Sequence, residues 1–78
     1  MVKFEIEYKR GKPFECSDVT KIVYVDDAGE ETTVEGDSLL THRLAIPKSI
    51  TVFTKNGWST PDCQGARAIS VWNIPDTH

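Results

Sequence analysis

Val2-Lys3-Phe4-Glu5-Ile6-Glu7-Tyr8-Lys9 alternates without a fault. Val2, Phe4, Ile6 and Tyr8 fall on one face, and Lys3, Glu5, Glu7 and Lys9 on the other. A period of two over eight residues is a strand buried on one side and wetted on its charged side. Arg10-Gly11-Lys12-Pro13 ends it, because Gly11 permits turn dihedrals and Pro13 cannot donate to a ladder.

Strand chemistry recurs along the chain. Thr20-Lys21-Ile22-Val23-Tyr24-Val25 is β-branched and aromatic with apolar residues on both faces, as a central strand requires. Asp26-Asp27-Ala28-Gly29-Glu30 reads as a turn, and Thr32-Thr33-Val34-Glu35 resumes the strand, so residues 20–36 form a hairpin. Ser49 to Lys55 is a further strand. Asn56-Gly57 after it suits the two central positions of a type I′ turn, with Trp58-Ser59-Thr60 as a short return arm stopped by Pro61. Arg67 to Ile74 is the last strand, and Pro75 to His78 is a tail expected to fray.

Two stretches have no single reading. Residues 38–46, "SLLTHRLAI", fit a one-to-two-turn helix capped by Asp37 or Ser38 that buries Leu40 and Leu44. They also fit a strand with Leu40, His42, Leu44 and Ile46 on one face, and the β neighbours favour the strand. Pro47 ends either one. Residues 11–19 read as irregular, with Phe14 tucked into the core.

The resulting fold class is all-β, a small antiparallel sandwich or open barrel of five or six strands. The alternative is α+β with one short helix around residues 38–46. Seventy-eight residues make one domain, 1–78, with little room for a deep catalytic cavity. Nine Lys and Arg stand against 12 Asp and Glu, a formal net charge of −3. That acidic balance disfavours nucleic acid, whose phosphates are usually met by a basic excess. No apolar run reaches the length of a membrane span, and acids interrupt what would be a signal core, so the expected location is cytoplasmic. Reduced thiols at Cys16 and Cys63 follow from that location. Together with His42 and His78 they lack the close pairing that zinc motifs use, so neither a metal site nor a cofactor is expected.

Gly36-Asp37-Ser38-Leu39 resembles the signature of the GDSL hydrolases, a family of serine esterases and lipases. The resemblance covers four residues and implies a nucleophilic serine that follows a strand and opens a helix in a three-layer α/β domain. It also implies a base in an Asp-x-x-His motif near the C-terminus. Asp76-Thr77-His78 is one residue short of that spacing, and the chain has no βαβ units to carry a triad and its oxyanion donors. Gly36, Asp37 and Ser38 are accounted for as turn and capping residues. The expectation is no catalytic residue and no enzyme.

Residues 26–37 hold six of the twelve acids and no base. They lack the D-x-[DN]-x-[DN]-G register of a calcium loop and read as a solvated turn. The tip Phe53-Thr54-Lys55-Asn56-Gly57-Trp58 is the candidate binding site, with Phe53, Lys55, Asn56 and Trp58 as its residues. Aromatic, basic and amide groups there suit a binding hot spot. For Trp58 the favoured reading is nonetheless that it folds back over the core, because so small a core needs large side chains, and core packing is also the reading for Trp72. His42 is read as structural, and Cys63 as exposed in the loop of residues 59–65 without a group to lower its pKa.

By subtraction, the function expected is a non-enzymatic interaction module that binds a protein partner or itself, since open sheet edges pair readily with another chain. The alternative is a single-strand nucleic-acid-binding small β-barrel. It would use Phe53, Lys55 and Trp58, with Lys9, Arg10 and Lys12 near the first turn.

Overall fold

The computed structural model describes residues 1–42 and 44–75. Arg43 lies outside the described residues, as do Asp76 to His78, on which the fraying tail and the Asp76–His78 spacing were read. The elements run β1 (Val2–Tyr8), β2 (Phe14–Cys16), β3 (Val19–Val25), β4 (Glu31–Glu35), α1 (Ser38–Thr41), β5 (Ser49–Thr54), β6 (Gly57–Ser59) and β7 (Ala66–Asn73). They form two antiparallel sheets, one ordered β2-β1-β7 and the other β4-β3-β5-β6. The architecture is an all-β sandwich, with seven strands among the described residues instead of five or six.

The alternation in β1 does what its period dictates. Phe4 and Ile6 are fully buried, and with Ile22 of β3 and Val52 of β5 they form the centre of the core. Each such side chain stabilises the fold by about 1.5–3 kcal/mol on leaving water. The register extends this inward layer across each sheet. Phe4 faces Cys16 and Val71, and Ile6 faces Phe14 and Ile69. In the larger sheet Ile22 faces Val34 and Val52. Phe14 meets Phe4 edge-on at 6.2 Å between ring centroids.

The extra strand is β2, in the stretch read as irregular. Three residues between Pro13 and Ser17-Asp18 are too few to show a period, yet Phe14 and Cys16 still fall on the inward face. Asp18, with φ at 56°, then swings the chain across to the second sheet.

Among the described residues of 38–46 the expected strand is absent, and the helical alternative holds for the first four residues. Gly36, at φ 62°, closes β4, and the N–H of His42 donates to Ser38 O at 2.8 Å. Asp37 takes the N-cap position without a side-chain capping bond. Leu39, not Leu40, is the buried leucine. Leu40 is 47% exposed and Leu44 half-buried. α1 packs against both β4 and β7, so Leu39 fills the seam between the two sheets. A single helical turn satisfies its own backbone there, where a strand would need a neighbour to pair with.

Trp72 also departs from expectation. It shares the phase of Ser70, and that phase is the outer one, because Ile69 and Val71 take the inward positions opposite Ile6 and Phe4. Trp72 lies half-buried on the outer face opposite Lys3. Cys63 is buried instead of exposed. The loop before β7 folds over the end of β1, where the Tyr8 hydroxyl donates to Asp62 O and the Lys9 N–H donates to Gly65 O at 3.0 Å.

Candidate functional site

The strand order β4-β3-β5-β6 lines up four side chains in one row across the outer face of the larger sheet. Glu35 pairs with Lys21, Lys21 with Phe53, and Phe53 with Trp58. Cross-strand partners point to the same face. The Lys21 ammonium lies 4.5 Å from the centroid of the Phe53 ring, a cation–π contact worth about 0.5–1 kcal/mol at an exposed site. Val23 and Val25 continue the same face, half-buried.

Trp58 does not fold back over the core. It is 67% exposed, because β6 is a three-residue edge strand and its central position belongs to the outward phase set by Phe53. The turn beside it differs from a type I′ turn on Asn56-Gly57. Thr54 pairs with Gly57, so Lys55 and Asn56 are the two loop residues, and only Gly57 takes a positive φ, at 148°. The Thr54 hydroxyl holds this tip, donating to Gly57 O and accepting from the Asn56 N–H, both at 3.3 Å. Lys55 and Asn56 are exposed beyond it.

The structure therefore places Phe53 and Trp58 side by side and Lys55 and Asn56 at the tip. It adds Lys21, which sequence reasoning did not single out. Lys21 is 32 positions from Phe53 in the chain, and only the adjacency of β3 and β5 brings them together. Lys9, Arg10 and Lys12 are exposed in the connection from β1 to β2, part of the other sheet.

Ser38 does follow a strand and open a helical turn, the local arrangement that its tetrapeptide signature implies. The sheets around it are antiparallel, however, and the nearest histidine in sequence is engaged elsewhere. His42 Nε2 lies 2.8 Å from the Tyr24 hydroxyl. The acidic turn is used for local backbone order, with Asp26 Oδ1 accepting from the N–H groups of Ala28 and Glu30 at 2.9 and 3.0 Å. Cys16 and Cys63 are free thiols. Desolvation raises the pKa of both, and Asp62 adds to the effect at Cys63, so neither is primed as a thiolate nucleophile. Among the described residues no group of three or more His, Cys, Asp or Glu could hold a metal ion, and no helix is long and apolar enough to cross a membrane.

The described surface also carries open grooves. One, of about 660 Å³, runs between the α1 segment and β7 and is lined by Leu39, Leu40, His42, Leu44, Ile69 and Val71 among others. The second, of about 450 Å³, lies between Tyr24, the acidic turn and Ile46-Pro47. Comparison with known proteins finds no matching family model, no similar curated protein and no similar solved structure. The functional reading therefore rests on the geometry of the chain alone.

Proposed function

We propose that the protein is a non-enzymatic interaction module of the cytoplasm that captures a protein partner on the outer face of its four-stranded sheet. The observation that carries this reading is Trp58, 67% exposed beside a Phe53 ring already engaged by Lys21. Leaving a tryptophan in water forgoes the stabilisation its burial would bring, in a domain whose margin is thin. Tryptophan flanked by an aromatic and a cation is the composition of binding hot spots, and Lys55 and Asn56 supply polar contacts at the rim.

The test is affinity capture from native lysate with wild-type protein and a Trp58→Ala variant, followed by mass spectrometry with and without nuclease. A protein held by the wild type, lost from the variant and indifferent to nuclease supports the reading. Equal capture by both chains removes Trp58 from the account.

The same row supports a second reading as a stacking platform for single-stranded nucleic acid, because Lys21 and Lys55 flank Phe53 and Trp58. It stands behind the first on account of the net charge of −3. Oligonucleotide would quench Trp58 fluorescence in a salt-dependent way, and the absence of quenching at low ionic strength would end it.

A further inference from the structure

We propose that β7 pairs with β7 of a second copy of the chain, antiparallel about a two-fold axis at Ser70, joining the two three-stranded sheets into one of six. The site lies on the opposite sheet from Phe53 and Trp58 and goes beyond the partner-binding reading.

The backbone supplies the first argument. Met1 and Ile74 form a bonded pair, with Ile74 N–H donating to Met1 O at 2.8 Å and the Met1 ammonium donating to Ile74 O at 3.1 Å. Antiparallel pairs alternate between bonded and non-bonded, so Lys3–Trp72, Glu5–Ser70 and Glu7–Ala68 are the bonded pairs of this ladder. The N–H and C=O groups of Ile69 and Val71 then point away from β1, toward the free edge. Among the described residues β7 has no strand on that side, and no backbone bond reaches those groups.

Other edges of the sandwich are blunted in the usual ways. β2 and β6 are three residues long, and β4 carries the exposed charges of Glu31 and Glu35. β7 runs for eight residues; beyond its bulged start, where exposed Arg67 pairs with Glu7, it offers Ala68, Ser70 and Trp72 on its outer face, none of them charged or proline.

Register and shape point to a second copy as the occupant. With Ser70 opposite its own symmetry mate, Ile69 and Val71 of the two copies become bonded pairs. Each Trp72 lies over the Ala68 of the other copy, large against small, twice. Glu7 keeps its ion pair with Arg67 of its own copy at 3.9 Å, and Glu5 of each copy flanks Ser70 in the row through the axis. The groove of Leu39, Leu40 and Leu44 along this edge is covered in the same step, including Leu40, 47% exposed in the single chain.

Light scattering across a concentration series reads the state directly, with a dimer of twice the 8.7 kDa chain expected. Ser70→Glu sets two carboxylates against each other on the axis, each beside Glu5 of its own chain, and shifts dimer formation to higher concentration by about tenfold or more. Ser70 is exposed, so circular dichroism of the variant stays unchanged. Ser70→Cys tests the register, because a non-bonded antiparallel pair holds its Cα atoms about 4.5 Å apart, within disulfide reach. Oxidised glutathione should convert this variant, but not wild type or Ala68→Cys, to a covalent dimer on non-reducing gels. A wild-type chain that is monomeric throughout, a dimer indifferent to Ser70→Glu, or equal cross-linking by Ala68→Cys overturns the proposal. None of these outcomes bears on capture through Trp58.

Discussion

Trp58 sits on the outer face of the four-stranded sheet and Trp72 on the outer face of the three-stranded one, yet they meet water differently. Trp72 belongs to an eight-residue strand and has β1, the central strand of its sheet, beside it with Lys3 opposite; it is half-buried. Trp58 occupies the middle of a three-residue edge strand with Phe53 as its paired neighbour, and it is mostly exposed. Both are outward by phase. What separates them is the length of the strand and how much sheet flanks it. A large apolar side chain can therefore be structural at one edge and left available at another, with no difference in residue type to announce it.

The comparison assumes one shared core beneath both faces, and the largest effect tests that assumption. Ile22→Ala should cost about 2–5 kcal/mol, a large share of the roughly 5–15 kcal/mol typical of a folded domain. Both tryptophans should report the loss in one transition by fluorescence and circular dichroism. Separate transitions for the two sheets would break the picture.

Trp72→Ala should come next, at about 1 kcal/mol for a half-buried ring. It should be measured at low protein concentration so that association through β7 does not add to it. Lys21→Gln removes the cation over Phe53 and should cost about 0.5–1 kcal/mol by urea denaturation. A neutral result would show that the ring does not depend on Lys21 for its place.

The pH dependence sharpens the contrast between the faces. On the outer face of the three-stranded sheet Glu5 lies among Glu15 and Glu7, and its pKa is raised, first by desolvation, then by a hydrogen bond and charge repulsion from Glu15 and by charge repulsion from Glu7. A carboxyl whose pKa is raised by folding opposes folding when ionised, and that opposition fades as pH falls into the carboxylate range. Glu5→Gln should therefore raise the thermal midpoint slightly at neutral pH, and the difference from wild type should vanish in acid. An unchanged midpoint at neutral pH would show that the cluster is too well solvated to matter.

How much of this was legible in the sequence follows from the range of each interaction. The period of β1, the hairpin around Asp26–Glu30 and the all-β class rest on neighbours in the chain and could be read directly. β2 was missed because Phe14-Glu15-Cys16 is shorter than any pattern. Between Leu39 and Leu40 the local sequence does not choose; the seam between β4 and β7 does. Trp72 was assigned the wrong face, since its phase was visible but which phase turned inward depended on Phe4 and Ile6 from β1. The tip residues Phe53, Lys55, Asn56 and Trp58 were singled out from composition as candidates, but the row joining Glu35 and Lys21 to them needed the strand order.

Equilibrium unfolding of Trp58→Ala tests most directly whether this ring is held outside the fold. The variant's stability should lie within about 0.5 kcal/mol of wild type, as for surface substitutions. A loss of about 3–5 kcal/mol, the cost of removing a buried tryptophan, would show that Trp58 is part of the core and contradict the reading of its face as a binding surface.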